Sequence, residues 1–183
     1  VKLDWRDATR ADRPGIQSFA CTTPPPKEPG KRARSHPKPW EYAVQKAIHQ
    51  VPVPLRNADG RLLVGITEDG GIGAVSLWSE MHGRVKLFKI RIIAISVEFR
   101  GRSAGAQPGE VASEALDVTL QEMSKAGPGG RVFGLIDKNN HASQRLVSAH
   151  GFQLNLNFPV ENPNPQAWLA RLPDDETTSP RHN

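Results

Sequence analysis

Cysteine is almost absent from this 183-residue chain: Cys21 stands alone. It cannot form an internal disulfide, and it has no Cys or His neighbours at ligand spacing. A disulfide framework and a zinc knuckle are both excluded, no metal is expected, and a buried or incidental thiol is the expected role. Aromatic residues are scarce as well, at 6%, with Tyr42 the one tyrosine. No apolar run approaches the roughly 20 residues needed to span a bilayer. The first residues, "VKLDWRDATR", lack the apolar core of a signal peptide, so the expected location is cytoplasmic, with no membrane partner. Neither G-x-x-x-x-G-K-[ST] nor G-x-G-x-x-G occurs, so nothing supports a P-loop or a dinucleotide Rossmann site.

What is present describes a globular protein, with an apolar fraction of 37% and a charged fraction of 23%. The length suits one domain with loose ends, and 16 Pro and 16 Gly mark much of the chain as loop. The net charge of +5 is uneven, because Lys27 to Lys38 ("KEPGKRARSHPK") holds five Lys or Arg against one Glu. Clustered cations can contact nucleic acid. No aromatic residue interleaves them to stack on bases, so a solvated Pro-rich linker is the favoured reading. The expected division is an N-terminal extension over 1–38, a domain over 39–172 and a polar tail over 173–183.

Residues 12–21 carry Ile16 and Phe19 in a short amphipathic patch of one or two helical turns. "TTPPPKEPG" then interrupts regular structure. From Pro39 a helix is expected, with Trp40, Val44, Ala47 and Ile48 at helical spacing, ending before Pro52. Leu62 to Thr67 and Ile72 to Trp78 read as strands joined by a tight turn at Glu68-Asp69-Gly70-Gly71. Val85 to Ile95 is the longest strand candidate. Its alternation becomes a solid apolar run, as expected of a central strand covered on both faces. A helix follows over 108–127 with Ala112, Leu116, Leu120 and Met123 on one stripe, then a short buried strand, "RVFGLID". A short helix comes next, capped by Asn140 and closed by Gly151. Strand alternation resumes at "FQLNLNF", and a last short element lies at "AWLARL". The order argues for a mixed α/β sheet.

The stretch "AISVEFRGRSAG", Ala94 to Gly105, runs from apolar residues into a turn of arginines and small residues ahead of a helix. By pattern alone this is an anion site or merely a basic turn. With the later "DKNNHASQRLVSAHGF" it resembles the cofactor motif and the Asn-to-Gly-Phe motif of the GNAT acyl-CoA N-acyltransferase superfamily. Arg100 and Gly105 match the R-x-x-G-x-G/A loop, with Ser103 where the family prefers Gly. Asn140, Ala142, Ser143, Arg145, Leu146, Gly151 and Phe152 stand as in members similar to ribosomal-protein alanine acetyltransferases. The resemblance covers roughly Leu62 to Phe152.

It implies a GNAT-like α/β fold, a mixed central sheet flanked by helices, with two strands splayed at the cofactor site. It also implies acetyl-CoA as the cofactor. The arm of coenzyme A would lie along the main chain of Ile93, Ala94 and Ile95, and its diphosphate against Arg100, Gly101, Arg102, Ser103, Ala104 and Gly105, with Asn140 and Ser143 nearby. The implied reaction is direct acetyl transfer to a primary amine of a small molecule, peptide or protein, by a monomer or homodimer. A protonated amine must lose a proton before attack. Glu80 and Glu98 are the candidate bases; Glu80 is preferred because Glu98 sits beside Arg100. Many members supply a tyrosine acid from the last helix, where this chain has Val147 next to Ser148. The alternatives are a CoA-binding or nucleic-acid-binding module without turnover, and a toxin-like enzyme that acetylates aminoacyl-tRNA.

Overall fold

A computed structural model describes residues 2–22, 38–55, 60–83, 85–100, 109–159 and 164–174. Its strands are β1 (Asp4–Asp7), β2 (Arg61–Ile66), β3 (Ile72–Met81), β4 (Leu87–Ile95), β5 (Arg131–Asp137), β6 (Gln153–Asn155) and β7 (Pro165–Arg171). The helices are α1 (Arg13–Ser18), α2 (Pro39–Gln50), α3 (Glu110–Ala126) and α4 (His141–Ala149). One seven-stranded sheet runs in the order β1-β2-β3-β4-β5-β7-β6. Every neighbouring pair is antiparallel except β4 and β5. The mixed sheet and its split are those expected.

Side-chain alternation divides the core. On one face Ile48 of α2 and Ile16 of α1 pack against Val64, Val75, Ile92 and Ala94. On the other, Leu116 and Met123 of α3 and Val147 of α4 pack against Trp78, Phe88 and Val132. β4, expected to be the longest strand, is one residue shorter than β3, and it has both faces covered, as its apolar run implies. The stripe of α3 is rotated from the expected one: Val111, Ala115, Leu116, Thr119 and Met123 are the buried residues.

The segment up to residue 22, expected as an extension, is built into the fold. β1 pairs with β2 along its length. Leu3, Ile16, Phe19 and Cys21 are all buried. Trp5 Nε1 donates to Glu114 Oε1 of α3 at 3.0 Å, fastening the edge strand across the sheet. The segment 27–37, with most of the basic stretch, lies outside the described residues. The element at "AWLARL" is a full strand that inserts between β5 and β6, while the "FQLNLNF" strand shrinks to Gln153–Asn155. Both ends of α4 are made as expected. Asn140 Oδ1 accepts from Ser143 N at 3.2 Å, and Gly151 takes φ +80°, a conformation that needs no Cβ. Among the described residues no helix is long and apolar enough to cross a membrane.

Candidate active site

The site begins with an irregularity in β4. Leu77 of β3 faces Ile92, but the next residue, Trp78, faces Ile90, which leaves Arg91 as an extra residue on β4. A bulge of this kind bends a strand and inverts its side-chain phase. Phe88 and Ile90 precede it on the α3 face; beyond it Ile93 and Ile95 point to that face, and Ile92 and Ala94 to the other.

Pairing between β4 and β5 ends at the same level. It runs from Leu87↔Arg131 to Ile90↔Gly134 and stops, so residues 91–95 of β4 and 135–137 of β5 have no ladder between them. The two strands fork. A cleft of about 450 Å³ opens there, floored by Ile93, Ala94 and Ile95, with α3 and α4 on one side and α2 on the other. A wider groove of about 1150 Å³ runs between α3 and α4, but it is open, and its lining sets Glu110, Glu114 and Asp117 against Lys2 and Arg145. Three carboxylates suit an anionic ligand poorly, so the fork is the candidate site.

Of the residues singled out from the sequence, Ile93, Ala94, Ile95, Arg100, Asn140 and Ser143 line this cleft. Gly101, Arg102, Ser103, Ala104 and Gly105 lie outside the described residues. Glu80 and Glu98 do not line it. Glu80 is on the outer part of β3 opposite Phe88, with its carboxylate bonded to Lys86. Glu98 sits in the short 3-10 turn Val97–Phe99 after β4, exposed, its N–H directed to Ser96 Oγ.

The carboxylates that do line the cleft are Glu41 and Asp137, neither singled out from the sequence. Glu41 lies in the first turn of α2, bonded by Arg100 Nη1 at 2.9 Å and Lys38 Nζ at 3.2 Å. Arg100 Nε also donates to the carbonyl of Ile95 at 3.3 Å. Asp137 ends β5, and its Oδ1 accepts from Asn139 N at 2.9 Å. A helix pattern beginning "PWE" signals an acidic first turn, but nothing local says that it faces Arg100.

Cys21 also reaches the cleft, fully buried. Burial pushes its thiol up to about 11, against the smaller opposing pull of Arg100. It stays a thiol at neutral pH and is poorly suited to act as a nucleophile. Trp168 of β7 lines the far wall, and its buried Nε1 has no hydrogen-bond partner among the described residues.

No protein-family model matches the chain, and no curated protein does. Solved structures do match. A GNAT-family acetyltransferase from Staphylococcus aureus Mu50 superposes with a TM-score of 0.62 at 11% identity, covering 93% of this chain and 99% of that one. The fold is that of the GNAT acetyltransferases. A phosphinothricin acetyltransferase from Sinorhizobium meliloti, solved with AcCoA, gives 0.59 at 18% identity over 100% of this chain and 95% of that one. The PaiA N-acetyltransferase from Thermoplasma acidophilum, solved with coenzyme A, gives 0.62 at 11% identity over 93% and 99%. The finer likeness to the ribosomal-protein alanine branch is not singled out by these structures. At such identities the GNAT fold is established, and the activity must be argued from the cleft.

Proposed function

We propose that this chain is an acetyl-CoA-dependent N-acetyltransferase acting on a primary amine by direct attack on the thioester. The observation that carries the reading is the fork: ladder pairing of β4 with β5 stops at Ile90↔Gly134, inside a cleft with an apolar floor and charged groups at its edge. Strand edges that lose their ladder partners are costly where water is excluded, unless a ligand supplies partners. A thin arm bearing amide groups is the shape and chemistry that fits between them, and about 450 Å³ is ample for it. Two of the matching GNAT structures were solved with such a ligand, AcCoA or coenzyme A.

The main chain of Ile93, Ala94 and Ile95 would hold the arm, and the walls from α3 and α4 would keep water from it. Arg100, with the loop 101–105, would meet the diphosphate at the mouth, and Asn140 and Ser143 would border it from the start of α4. The bound thioester supplies an activated acyl group. On the α2 side the acceptor meets Glu41, whose charge attracts an ammonium group and whose oxygens can pass its proton to water. Glu80 and Glu98 stand away from the cleft, so we move the role of amine-side carboxylate to Glu41. A thiolate leaves without an obligatory acid, so Val147 in α4 does not preclude turnover.

Calorimetric titration with acetyl-CoA and CoA, followed by thiol release over a panel of amines, peptides and charged tRNA, tests the reading. Micromolar binding with release on at least one amine is expected. Binding without release on any acceptor would favour a non-catalytic CoA-binding module, and no binding at all would overturn the proposal.

A further inference from the structure

Alternation sorts the residues of the far half of the sheet. On β5, Val132 and Ile136 pack with α3 and α4, so Arg131, Phe133 and Leu135 take the opposite, α2 side. Their register partners share that side: Lys89 on β4, and Leu169 and Arg171 on β7. The helical cover of this side packs on β2, β3 and the end of β4. Over β5 the described residues provide only a ring and an ammonium: Phe158 lies 5.0 Å from the Phe133 centroid, and Lys89 Nζ lies 5.8 Å from it. Phe133 and Leu135 belong to none of the core clusters of the described residues. Leu135 is 40% exposed although its strand has a neighbour on both sides.

The charge on this face is of one sign along the strands. Arg131 and Arg171 stand directly opposite each other on β5 and β7, an arrangement in which like charges repel. Asp174 takes Arg171 at 3.0 Å, but among the described residues no carboxylate takes Arg131 or Lys89. The face also runs into the candidate site, because Leu135 and the bulge residue Arg91 both line the cleft. Its cations therefore suit an acidic partner that reaches the cleft. β5 is seven residues long, about 20 Å at about 3.3 Å per residue, too far for a small amine to touch both ends.

We propose that this side of β5 and β7, from Arg131 and Lys89 to Leu135 at the cleft, docks an acidic polypeptide segment that carries the acceptor amine. The inference rests on the acyl-CoA reading above and names the class of acceptor for it. Bases need open rings to stack on, whereas Phe133 is 4% exposed and Phe158 spends a face in covering it. The uncovered side chains are Leu135 and Leu169, which pack on aliphatic groups, with cations at Arg131 and Lys89 for carboxylates. That combination favours a polypeptide over a nucleic acid.

The test uses the full chain and three fluorescent probes: a short peptide of alternating glutamate and alanine with a free amino terminus, its counterpart with lysine for glutamate, and a single-stranded RNA of similar length. Anisotropy, with and without saturating CoA, should show the acidic peptide binding and the basic one not, with an affinity that falls as salt rises. Arg131→Glu should weaken the acidic peptide about tenfold or more. That variant puts a carboxylate opposite Arg171, which removes a repulsion, so it should stay folded and keep the wild-type Kd for CoA. In turnover it should raise KM for the peptide and leave kcat, and the rate on a small amine, unchanged. Equal binding of acidic and basic peptides would overturn the inference, as would an acidic peptide indifferent to both Arg131→Glu and Lys89→Gln. RNA binding that Arg131→Glu abolishes, with no peptide bound, would make the face a nucleic-acid surface and overturn it too. A chain that binds acetyl-CoA and acetylates a small amine but ignores the acidic peptide fails this inference alone. One that binds the acidic peptide through Arg131 but does not bind acetyl-CoA keeps the docking surface and fails the acyl-CoA reading.

Discussion

Arg100 is asked to do two things, and separating them is the sharpest test of the site. Its guanidinium bonds Glu41 at 2.9 Å across the cleft mouth, with side-chain exposures of 35% for Arg100 and 14% for Glu41. A fully exposed pair contributes about 0.2–1 kcal/mol, and breaking a fully buried one costs about 3–5 kcal/mol. This pair lies between, and Lys38 still reaches Glu41 at 3.2 Å when Arg100 is gone. Arg100→Met should therefore cost about 1–2 kcal/mol in urea unfolding, and a cycle with Glu41→Gln should give a coupling near 1 kcal/mol. If Arg100 also meets the diphosphate, Arg100→Met loses a charge-assisted contact worth about 1.5–3 kcal/mol, roughly a 10- to 150-fold weaker CoA. Glu41→Gln acts oppositely on that second role. It frees the guanidinium, so CoA should bind as tightly as to the wild type or up to about fivefold tighter. Unfolding curves and calorimetric Kd values on the same four proteins separate the roles. An Arg100→Met protein that loses stability but keeps full CoA affinity would refute the diphosphate assignment and leave Arg100 a brace for α2.

Two further predictions concern the frame. Ser76 Oγ and Thr119 Oγ1 lie 2.7 Å apart in the core, and Thr119 Oγ1 also donates to Ala115 O at 2.6 Å; Thr119→Val should cost about 1–3 kcal/mol by stranding the Ser76 hydroxyl, and adding Ser76→Ala should recover most of it in the same urea assay. Arg6 meets both carboxylate oxygens of Asp12 at 2.7 Å, and Thr9 N–H adds a third bond at 2.7 Å. Arg6 first, then the Thr9 bonds, hold that carboxyl well below the usual carboxylate range. The native state thus favours the charged form, and its stabilisation is whole above about pH 4 and is lost as pH falls. Asp12→Asn should lower stability at pH 7 and flatten the acid limb; mutant and wild-type curves that run parallel from pH 7 to pH 2 would contradict this.

Local chemistry made most of the elements legible. Pro39 opens α2, Asn140 and Gly151 close the two ends of α4, and the apolar stripes of α2 and α3 announce helices. What escaped is non-local. β1 is four residues long and exposed along most of its length, so its sequence carries no alternation; only pairing with β2 makes it a strand. The insertion of β7 between β5 and β6 is a matter of register, which no single segment encodes. The solid run from Ile92 to Ile95 was legible as a strand covered on both faces, but its cause was hidden: one extra residue, Arg91, inverts the alternation partway along. The carboxylates illustrate the same limit. Glu80 and Glu98 stand near β4 in sequence, whereas Glu41 is brought to the cleft by a helix well upstream.

The fork also explains why the first 22 residues belong to the site. A sheet that gives up the ladder between residues 91–95 and 135–137 loses a brace at its centre and would tend to close on itself or fray. The N-terminal segment supplies another. Val97 N, just past β4, donates to Ala20 O at 2.9 Å, and His49 Nε2 of α2 bonds Phe19 O at 2.8 Å. Cys21 N and Thr22 N both donate to Gln45 Oε1, at 3.0 and 3.2 Å. The end of β4 is thus tied to α2 through residues 19–22, and Arg100–Glu41 repeats the tie from the side-chain side. Because these ties lie on the α2 wall, they can hold the fork apart without occupying the space between its strands.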